Sequence, residues 1–265
     1  MLMLPFLLQI HYYRDDPIVI MTHSVLIVAV EGPADAGVSS AVKTMEKMTS
    51  SGTGWTIKTV LEEPDIHMDR NMGDLRDFAE RHPEYMARYV HHRMTKSAAR
   101  AWDAVQTAKQ SGVNTIVILD RSPHGYLNVH DKSLYEQKLI SEIDFFWWHR
   151  LYEDLPHVGV NGVMLFVPEA QEIINMKLHN RASEVVKAFN FDDNRRLTNS
   201  QVRKAITYGE KMKEAGIPVY TLDHSKKGAE MKKSIMTGLD SIIDTYNNRY
   251  ITDVDTFFIQ RCNLG

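Results

Sequence analysis

The sequence predicts an α/β protein whose five-stranded parallel sheet is flanked by helices in three layers. Two observations support this fold class. Short apolar segments alternate with longer helical patterns, which is the order expected of repeated strand–helix–strand units. The first apolar segment, 24–30, is almost continuously apolar and rich in β-branched residues, as in a strand that is covered on both faces. One domain of this kind fits a chain of 265 residues and 30.4 kDa.

Four further strands are predicted along the chain. Residues 55–61 alternate in polarity, and three short apolar runs follow at 114–119, 162–167 and 217–222. Helices are expected between the strands, from the spacing of apolar residues and from end signals such as proline and glycine. The predicted helices are a first one with Val42, Met45 and Met48 on one face, and then 83–110, 133–154, 169–187, 198–214 and 226–246.

The folded domain is expected to span 21–246, between an N-terminal extension (1–20) and a C-terminal tail (247–265). Residues 1–10 are apolar, but this run is too short to cross a bilayer and has no basic residue before it. The sequence shows no longer apolar run. An intracellular, cytoplasmic location without a membrane partner is therefore expected.

Composition and charge also exclude several classes of function. Hydrophobic residues make up 43% and charged residues 25% of the chain, which is ordinary for a globular protein. Lys and Arg total 31 against 34 Asp and Glu, a formal net charge of −3, so no general attraction to nucleic acid is expected. The single cysteine, Cys262, excludes an internal disulfide and a cysteine-based zinc site.

The segment after the first strand resembles a phosphate-binding loop. In open α/β sheets, ligands bind at the carboxyl ends of the strands. The phosphate-loop pattern is G-x-x-x-x-G-K-[ST] between a strand and a helix. In EGPADAGVSS (31–40), Gly32 and Gly37 have this spacing and Ser39 has the hydroxyl position, whereas Val38 replaces the lysine. A turn that merely needs glycine would explain the same two glycines, so these residues alone leave both interpretations open.

Charged groups also follow the second and third strands. Glu62-Glu63-Pro64 ends the second, and Asp120-Arg121-Ser122 ends the third. Each group has an ordinary explanation, because a carboxylate at a strand end often caps the next helix and an arginine can be a solvated surface charge. Three such features at consecutive strand ends, however, are expected to converge on one crevice.

With these motifs in order, the chain resembles the thymidylate kinase and deoxynucleoside kinase group of P-loop phosphotransferases over about residues 24–245. The group implies a P-loop NTPase fold with a helical lid, ATP as phosphoryl donor and Mg²⁺ as cofactor. The matching segments are VEGPADAGVSS (30–40), EEP (62–64), HHR (91–93), ILDRS (118–122), LFVPEAQEII (165–174), the Lys/Arg-bearing segment 177–203 and PVYTLD (218–223).

The resemblance implies a donor site on the loop and a lid above it. Ser39 and Asp120 would hold the magnesium ion. The lid, about 177–203, would close over ATP with Lys177, Arg181, Arg195 and Arg196. The nucleotide-binding residues implied by the loop are Gly32, Ala34, Asp35, Ala36, Gly37, Val38, Ser39 and Ser40.

The resemblance also implies the acceptor site. Glu63 would lie near the acceptor sugar or phosphate, and in the nucleoside kinase branch it would be the general base. Arg93 would reach the acceptor, and Arg121 would clamp phosphate through its planar fork. Asp120, Arg121 and Glu63 are thus the implied catalytic residues. One aromatic ring of the 145–148 cluster could stack on the base, although a core position is the more common role of such residues.

Three functions are compatible with these observations. The leading hypothesis is a thymidylate kinase-like enzyme acting on dTMP, because Glu63 follows Gly32 by 31 residues, a spacing more like that branch. The second is a deoxynucleoside kinase that phosphorylates the 5′-OH, which the Trp147-Trp148-His149 stretch favours. The third is a non-catalytic nucleotide-binding or interaction module, because Val38 removes a charge that aids transfer. A small nucleotide or nucleoside is the expected partner, and a homodimer is expected only by analogy with the group.

Overall fold

The computed structural model describes residues 24–34, 36–48, 54–61, 86–154, 158–169, 172–173, 175 and 191–262. The expected N-terminal extension (1–20) and the lid residues 177–190 lie outside these ranges.

The described residues form a five-stranded, fully parallel sheet. The strand order is β2-β3-β1-β4-β5, so the first strand lies at the centre. All five strands were predicted, and each end falls within two residues of its predicted position. The strands are β1 (Val25–Glu31), β2 (Thr56–Val60), β3 (Thr115–Asp120), β4 (Gly162–Phe166) and β5 (Val219–Leu222).

Helices flank the sheet and connect its strands. They are α1 (Val38–Glu46), α2 (Met86–Gln110), α3 (Pro123–Gly125), a π-helical turn (Tyr126–Asp131), α4 (Lys132–Glu136), α5 (Glu142–Asp154), α6 (Phe191–Glu214) and α7 (Gly228–Cys262).

The side chains of β1 alternate between two hydrophobic layers. Val28 packs with α1 and α7 residues on one face of the sheet, while Ile27 packs against α2 residues on the other. Tyr208 of α6 covers the second face beside β4. Helices therefore cover both faces of the central strands, and the predicted three-layer architecture is confirmed.

Several helix boundaries differ from the prediction. The predicted helix 133–154 is broken after α4, because Lys138 has a left-handed φ of 56° and Ser141 caps a new helix through Asp144 N–H. α6 begins at Phe191 rather than at 198, through a charged stretch without an apolar stripe. The backbone of α7 remains helical to Cys262, beyond the predicted end at 246.

In the part of the chain that the structure describes, no helix combines the length and the apolar character needed to cross a bilayer.

Candidate functional site: the loop after β1 and the turn after β3

Two glycines shape the loop after β1, each for a different reason. Gly37 has a φ of 95°, a left-handed conformation that glycine adopts without strain, and it precedes the first residue of α1. A Cβ on Gly32 would lie 3.0 Å from both Cβ and the carbonyl oxygen of Phe166, so the backbone approaches β4 closely there. No side chain caps α1 among the described residues. Its first N–H groups thus suit an anion.

The residue at the lysine position of the loop faces the core. Val38 is 2% exposed and belongs to the apolar cluster that includes Val42 and Val30. Ser39, which has the hydroxyl position, is half-buried, and Ser40 is exposed. The loop therefore has the backbone of a phosphate site, while its lysine position contributes to packing.

Parallel pairing of β1 with β3 brings the second group to this loop. Val30 is in register with Asp120, and the backbone N–H of Arg121 donates to the Val30 carbonyl at 3.1 Å. Asp120 is 2% exposed and Arg121 is 7% exposed. The expectation that strand ends converge is confirmed for β1 and β3, and the interpretation of Arg121 as a solvated surface charge is wrong.

Arg121 reaches back to the loop from an uncommon backbone conformation. Its φ is 66°, in the left-handed region that non-glycine residues seldom adopt. Such a conformation costs about 1–3 kcal/mol and persists where neighbouring contacts enforce it. The Nη2 atom of Arg121 donates to the carbonyl oxygen of Pro33 at 3.4 Å. A buried guanidinium is thus placed against the backbone of the loop.

Glu31, which the sequence analysis did not select, fixes the turn after β3. Its Oε1 accepts hydrogen bonds from the backbone N–H of Ser122 at 2.7 Å and from the Ser122 hydroxyl at 2.6 Å. The Ser122 hydroxyl oxygen also accepts from Gly125 N–H at 3.0 Å and so caps α3. Ser122 rather than the Asp120 carboxylate therefore caps this helix. The sequence signal that could have identified Glu31 was a carboxylate at the end of a strand whose other residues are apolar.

Burial determines the charge state of Glu31. The side chain is 0% exposed, and this burial raises the pKa of Glu31 to about 7, against the lowering effect of its Ser122 hydrogen bonds and of Arg121. Burial also raises the pKa of Tyr208, with the nearby Glu31 carboxylate as a second cause. Oε2 of Glu31 has no hydrogen-bond partner among the described residues. The site therefore contains a carboxyl group that titrates near neutral pH.

A second residue that sequence analysis missed comes from α6. The Oε1 atom of Gln201 accepts a hydrogen bond from the backbone N–H of Ala34, at 3.1 Å. Gln201 is 5% exposed. The two residues are 167 positions apart, so no local pattern could have paired them. This bond joins α6, whose first half lies in the predicted lid (177–203), to the loop.

The structure describes only some of the other predicted site residues. Arg93 is half-buried on α2, next to Met94, which packs against Tyr126 just beyond the turn after β3. Arg195 and Arg196 lie exposed near the start of α6. The other predicted site residues lie outside the described ranges: Asp35, Glu63, Lys177 and Arg181.

The aromatic cluster 145–148 divides between core and surface. Trp148 is 5% exposed and stacks at 6.2 Å on the ring of His91, on α2. Phe146 and Trp147 are 63% and 56% exposed. Trp148 therefore has the core position that was considered the more common role of such residues.

The residues at the loop fit a magnesium ion by their chemistry. Mg²⁺ prefers oxygen ligands and usually takes only one or two carboxylates besides phosphates and water. Ser39 and Asp120 supply a hydroxyl and a carboxylate at the same end of the sheet. In the described parts of the chain no three His, Cys, Asp or Glu side chains cluster as a metal cage. A bound magnesium ion would thus depend on nucleotide phosphates for further ligands.

The fold is that of known deoxynucleoside kinase structures. Deoxyadenosine kinase from M. mycoides with products dCMP and a flexible dCDP bound has a TM-score of 0.58 and 14% identity, covering 82% of this chain and 100% of the kinase. The same kinase with bound dATP has a TM-score of 0.55 and 13% identity, covering 81% and 99%. No protein-family model and no curated protein sequence matches the chain.

Proposed function

We propose that this protein is a phosphotransferase that moves the γ-phosphoryl group of ATP to a deoxynucleoside or its monophosphate, with Mg²⁺. The observation that carries the proposal is the position of Arg121. A buried guanidinium lies against the carbonyl of Pro33, at the start of a loop that leads into the uncapped N-terminus of α1. Backbone N–H groups at a helix N-terminus and an arginine fork are both phosphate ligands.

In this proposal the chain contributes positioning and charge. The transferred phosphoryl group carries negative charge on its outer oxygens, so preorganised donors stabilise the transition state. The α1 amides hold the donor phosphates, and Arg121 neutralises charge at the group in transit. When bound, magnesium supplies further neutralisation of the phosphates, with Ser39 and Asp120 as its protein ligands. Arg195 and Arg196, which belong to the predicted lid, would approach the donor phosphates from the start of α6.

A free deoxynucleoside is the preferred acceptor. Two observations support it: the deoxyadenosine kinase structures share the fold over nearly their whole length, and the His91–Trp148 stack joins the helix of the predicted acceptor arginine to the Trp-Trp-His stretch. A nucleoside hydroxyl must lose a proton, and Glu63 would be its general base. A monophosphate acceptor such as dTMP is already ionised and needs no such base.

The thymidylate kinase hypothesis remains the second candidate, because of the 31-residue interval between Gly32 and Glu63. The two acceptors are separated by one experiment. The purified protein is incubated with ATP and Mg²⁺ and with deoxyadenosine, deoxycytidine, deoxyguanosine, thymidine, dTMP or dUMP, and products are separated by chromatography. We expect a monophosphate from at least one nucleoside. A diphosphate from dTMP alone would instead support the second candidate.

The variant Glu63→Gln is a second test that separates a nucleoside acceptor from a monophosphate acceptor. If the acceptor is a nucleoside, this substitution removes the base and should lower kcat by about 100-fold or more. If the acceptor is a monophosphate, kcat should change little. No product from any acceptor, with a protein shown to be folded, would contradict the phosphotransferase proposal and favour a non-catalytic nucleotide-binding module.

A further inference from the structure

Gln201 holds one edge of the phosphate loop with a single atom of its side chain. Its Oε1 accepts the Ala34 N–H at 3.1 Å, and the side chain is 95% buried where α6 passes the loop. Because a primary amide carries its oxygen and its nitrogen on the same carbon, anchoring Oε1 also fixes the direction of Nε2. The amide is therefore held in one orientation beside the loop.

The Nε2 group of Gln201 has two N–H donors still to satisfy. Among the described residues no hydrogen bond from Nε2 is present. In the described part of the chain, the fully buried polar atoms that lack a partner do not include this nitrogen, so Nε2 is open to water or to a ligand beside the loop. The neighbouring loop leads into the N-terminus of α1, which has no side-chain cap. Both features are what an anion with several oxygens would satisfy.

On the basis of the proposed function, we infer that Gln201 is a phosphate-binding residue whose Nε2 donates a hydrogen bond to the transferred phosphoryl group. In this role Gln201 partly replaces the missing loop lysine, since the lysine position is filled by Val38, which is buried in the core. The replacement is neutral, so it supplies hydrogen-bond donors without the charge. Because Gln201 lies in the part of the predicted lid (177–203) that α6 forms, its bond to Ala34 also links the position of that helix to the loop.

Two substitutions separate donation from loop anchoring. Gln201→Glu keeps an oxygen that can accept the Ala34 N–H but replaces the Nε2 donors with a second oxygen. Gln201→Met removes both functions without adding a charge, and it tests the inference if the buried glutamate impairs folding. Gln110→Glu and Gln110→Met are matched controls, because Gln110 is exposed at the end of α2, next to the amino end of β3.

Affinity for two nucleotides is the first readout. ADP and the non-hydrolysable β,γ-imido analogue of ATP are titrated by calorimetry with Mg²⁺ present. Gln201→Glu and Gln201→Met should bind the analogue about tenfold more weakly, the size of a lost hydrogen bond to a charged group. ADP lacks the transferred group, so its affinity for Gln201→Glu, which keeps the bond to Ala34, should stay within about threefold of wild type. The kcat of both variants should fall by about 100-fold, and the Gln110 variants should match wild type.

Three results would overturn the inference. These are unchanged analogue affinity in both Gln201 variants, an equal loss for ADP and the analogue in Gln201→Glu, and a wild-type protein that binds neither nucleotide. Equal losses would mean that Gln201 only holds the loop. Failure of the proposed function has a different signature: if the wild-type protein binds both nucleotides but phosphorylates no acceptor, transfer is absent while the affinity comparison still tests Gln201.

Discussion

Glu31 and Ser122 are joined twice through a single carboxylate oxygen. Oε1 of Glu31 accepts the Ser122 backbone N–H at 2.7 Å and the Ser122 hydroxyl at 2.6 Å. The pair connects the end of β1, where the phosphate loop begins, with the residue after Arg121. The left-handed backbone of Arg121 therefore lies between two anchors: its own N–H on the Val30 carbonyl and the Ser122 pair.

Ser122→Ala should destabilise the protein more than the loss of a helix cap alone. The substitution removes the cap of α3 and also a hydrogen bond to a buried carboxyl group. We expect the free energy of unfolding to fall by about 2–3 kcal/mol. Ser141→Ala is the matched control, because Ser141 caps α5 in an exposed position, and we expect it to cost about 1 kcal/mol. Equal losses in urea denaturation would contradict the structural role of Glu31.

Arg121→Ala and Arg121→Gly should lose activity equally but differ in stability. Both variants lack the guanidinium, so each should lower kcat by about 100-fold or more. Glycine adopts the φ of 66° without strain, whereas alanine does not, so the glycine variant should be more stable by about 1 kcal/mol. Lys109→Ala, an exposed change at the end of α2, should leave both quantities unchanged. Substantial turnover in either Arg121 variant would remove this residue from the proposed mechanism.

Val38→Lys should not restore a conventional phosphate loop. The Val38 side chain is 2% exposed, and its Cγ2 lies 3.3 Å from where a Cβ on Gly32 would be. A lysine there must either bury its ammonium group or displace the loop, so we expect a loss of about 2–4 kcal/mol in the free energy of unfolding. Val38→Met is the neutral control of similar length. A Val38→Lys protein that is as stable as wild type and faster in transfer would show that the lysine can reach the phosphates.

Asp131→Asn should make stability less dependent on pH. Asp131, the last residue of the π-helical turn, is 0% exposed, and its carboxylate oxygens have no hydrogen-bond partner among the described residues. Burial raises the pKa of Asp131 well above its ordinary value of 3.8. The folded protein therefore holds this proton more tightly than the unfolded chain does. The resulting contribution to the free energy of unfolding is fully present below the pKa of Asp131 in the unfolded chain, and it is lost as pH rises through the pKa in the folded protein.

The expected result is a higher Tm for Asp131→Asn than for wild type at pH 8, with a smaller difference at pH 5. Glu31, whose raised pKa acts in the same direction, is present in both proteins and cancels from the comparison. Asp103→Asn, on the exposed face of α2, should show no such pH-dependent gain. A difference that is equal at both pH values would mean that Asp131 is ionised throughout.

The sequence predicted the sheet well because its strands are marked locally. β1 and β3 are runs of Val, Ile and Leu, and a strand buried on both faces tolerates little else. Helix ends were predicted less well. The break after α4 depends on Lys138 in a left-handed conformation, which no residue type signals. The start of α6 lies in charged residues, where apolar periodicity carries no information.

The candidate site was predicted where it lies in consecutive residues and missed where it depends on distant pairing. Gly32, Gly37 and Arg121 follow strands, so the topology rule for parallel sheets located them. Glu31 and Gln201 act through partners 91 and 167 positions away. Only the fold brings these residues together, and their own neighbours in sequence gave no indication of a partner.

The central claim is that this chain transfers phosphate despite the valine at the lysine position of its loop. The most direct measurement is a single-turnover experiment with excess wild-type protein, [γ-³²P]ATP, Mg²⁺ and each deoxynucleoside, with Arg121→Ala in parallel. We expect label in a 5′-monophosphate with the wild-type protein, and at least about 100-fold slower labelling with Arg121→Ala. Label that stays in ATP, or reaches only inorganic phosphate, while the folded protein binds ATP would contradict the claim.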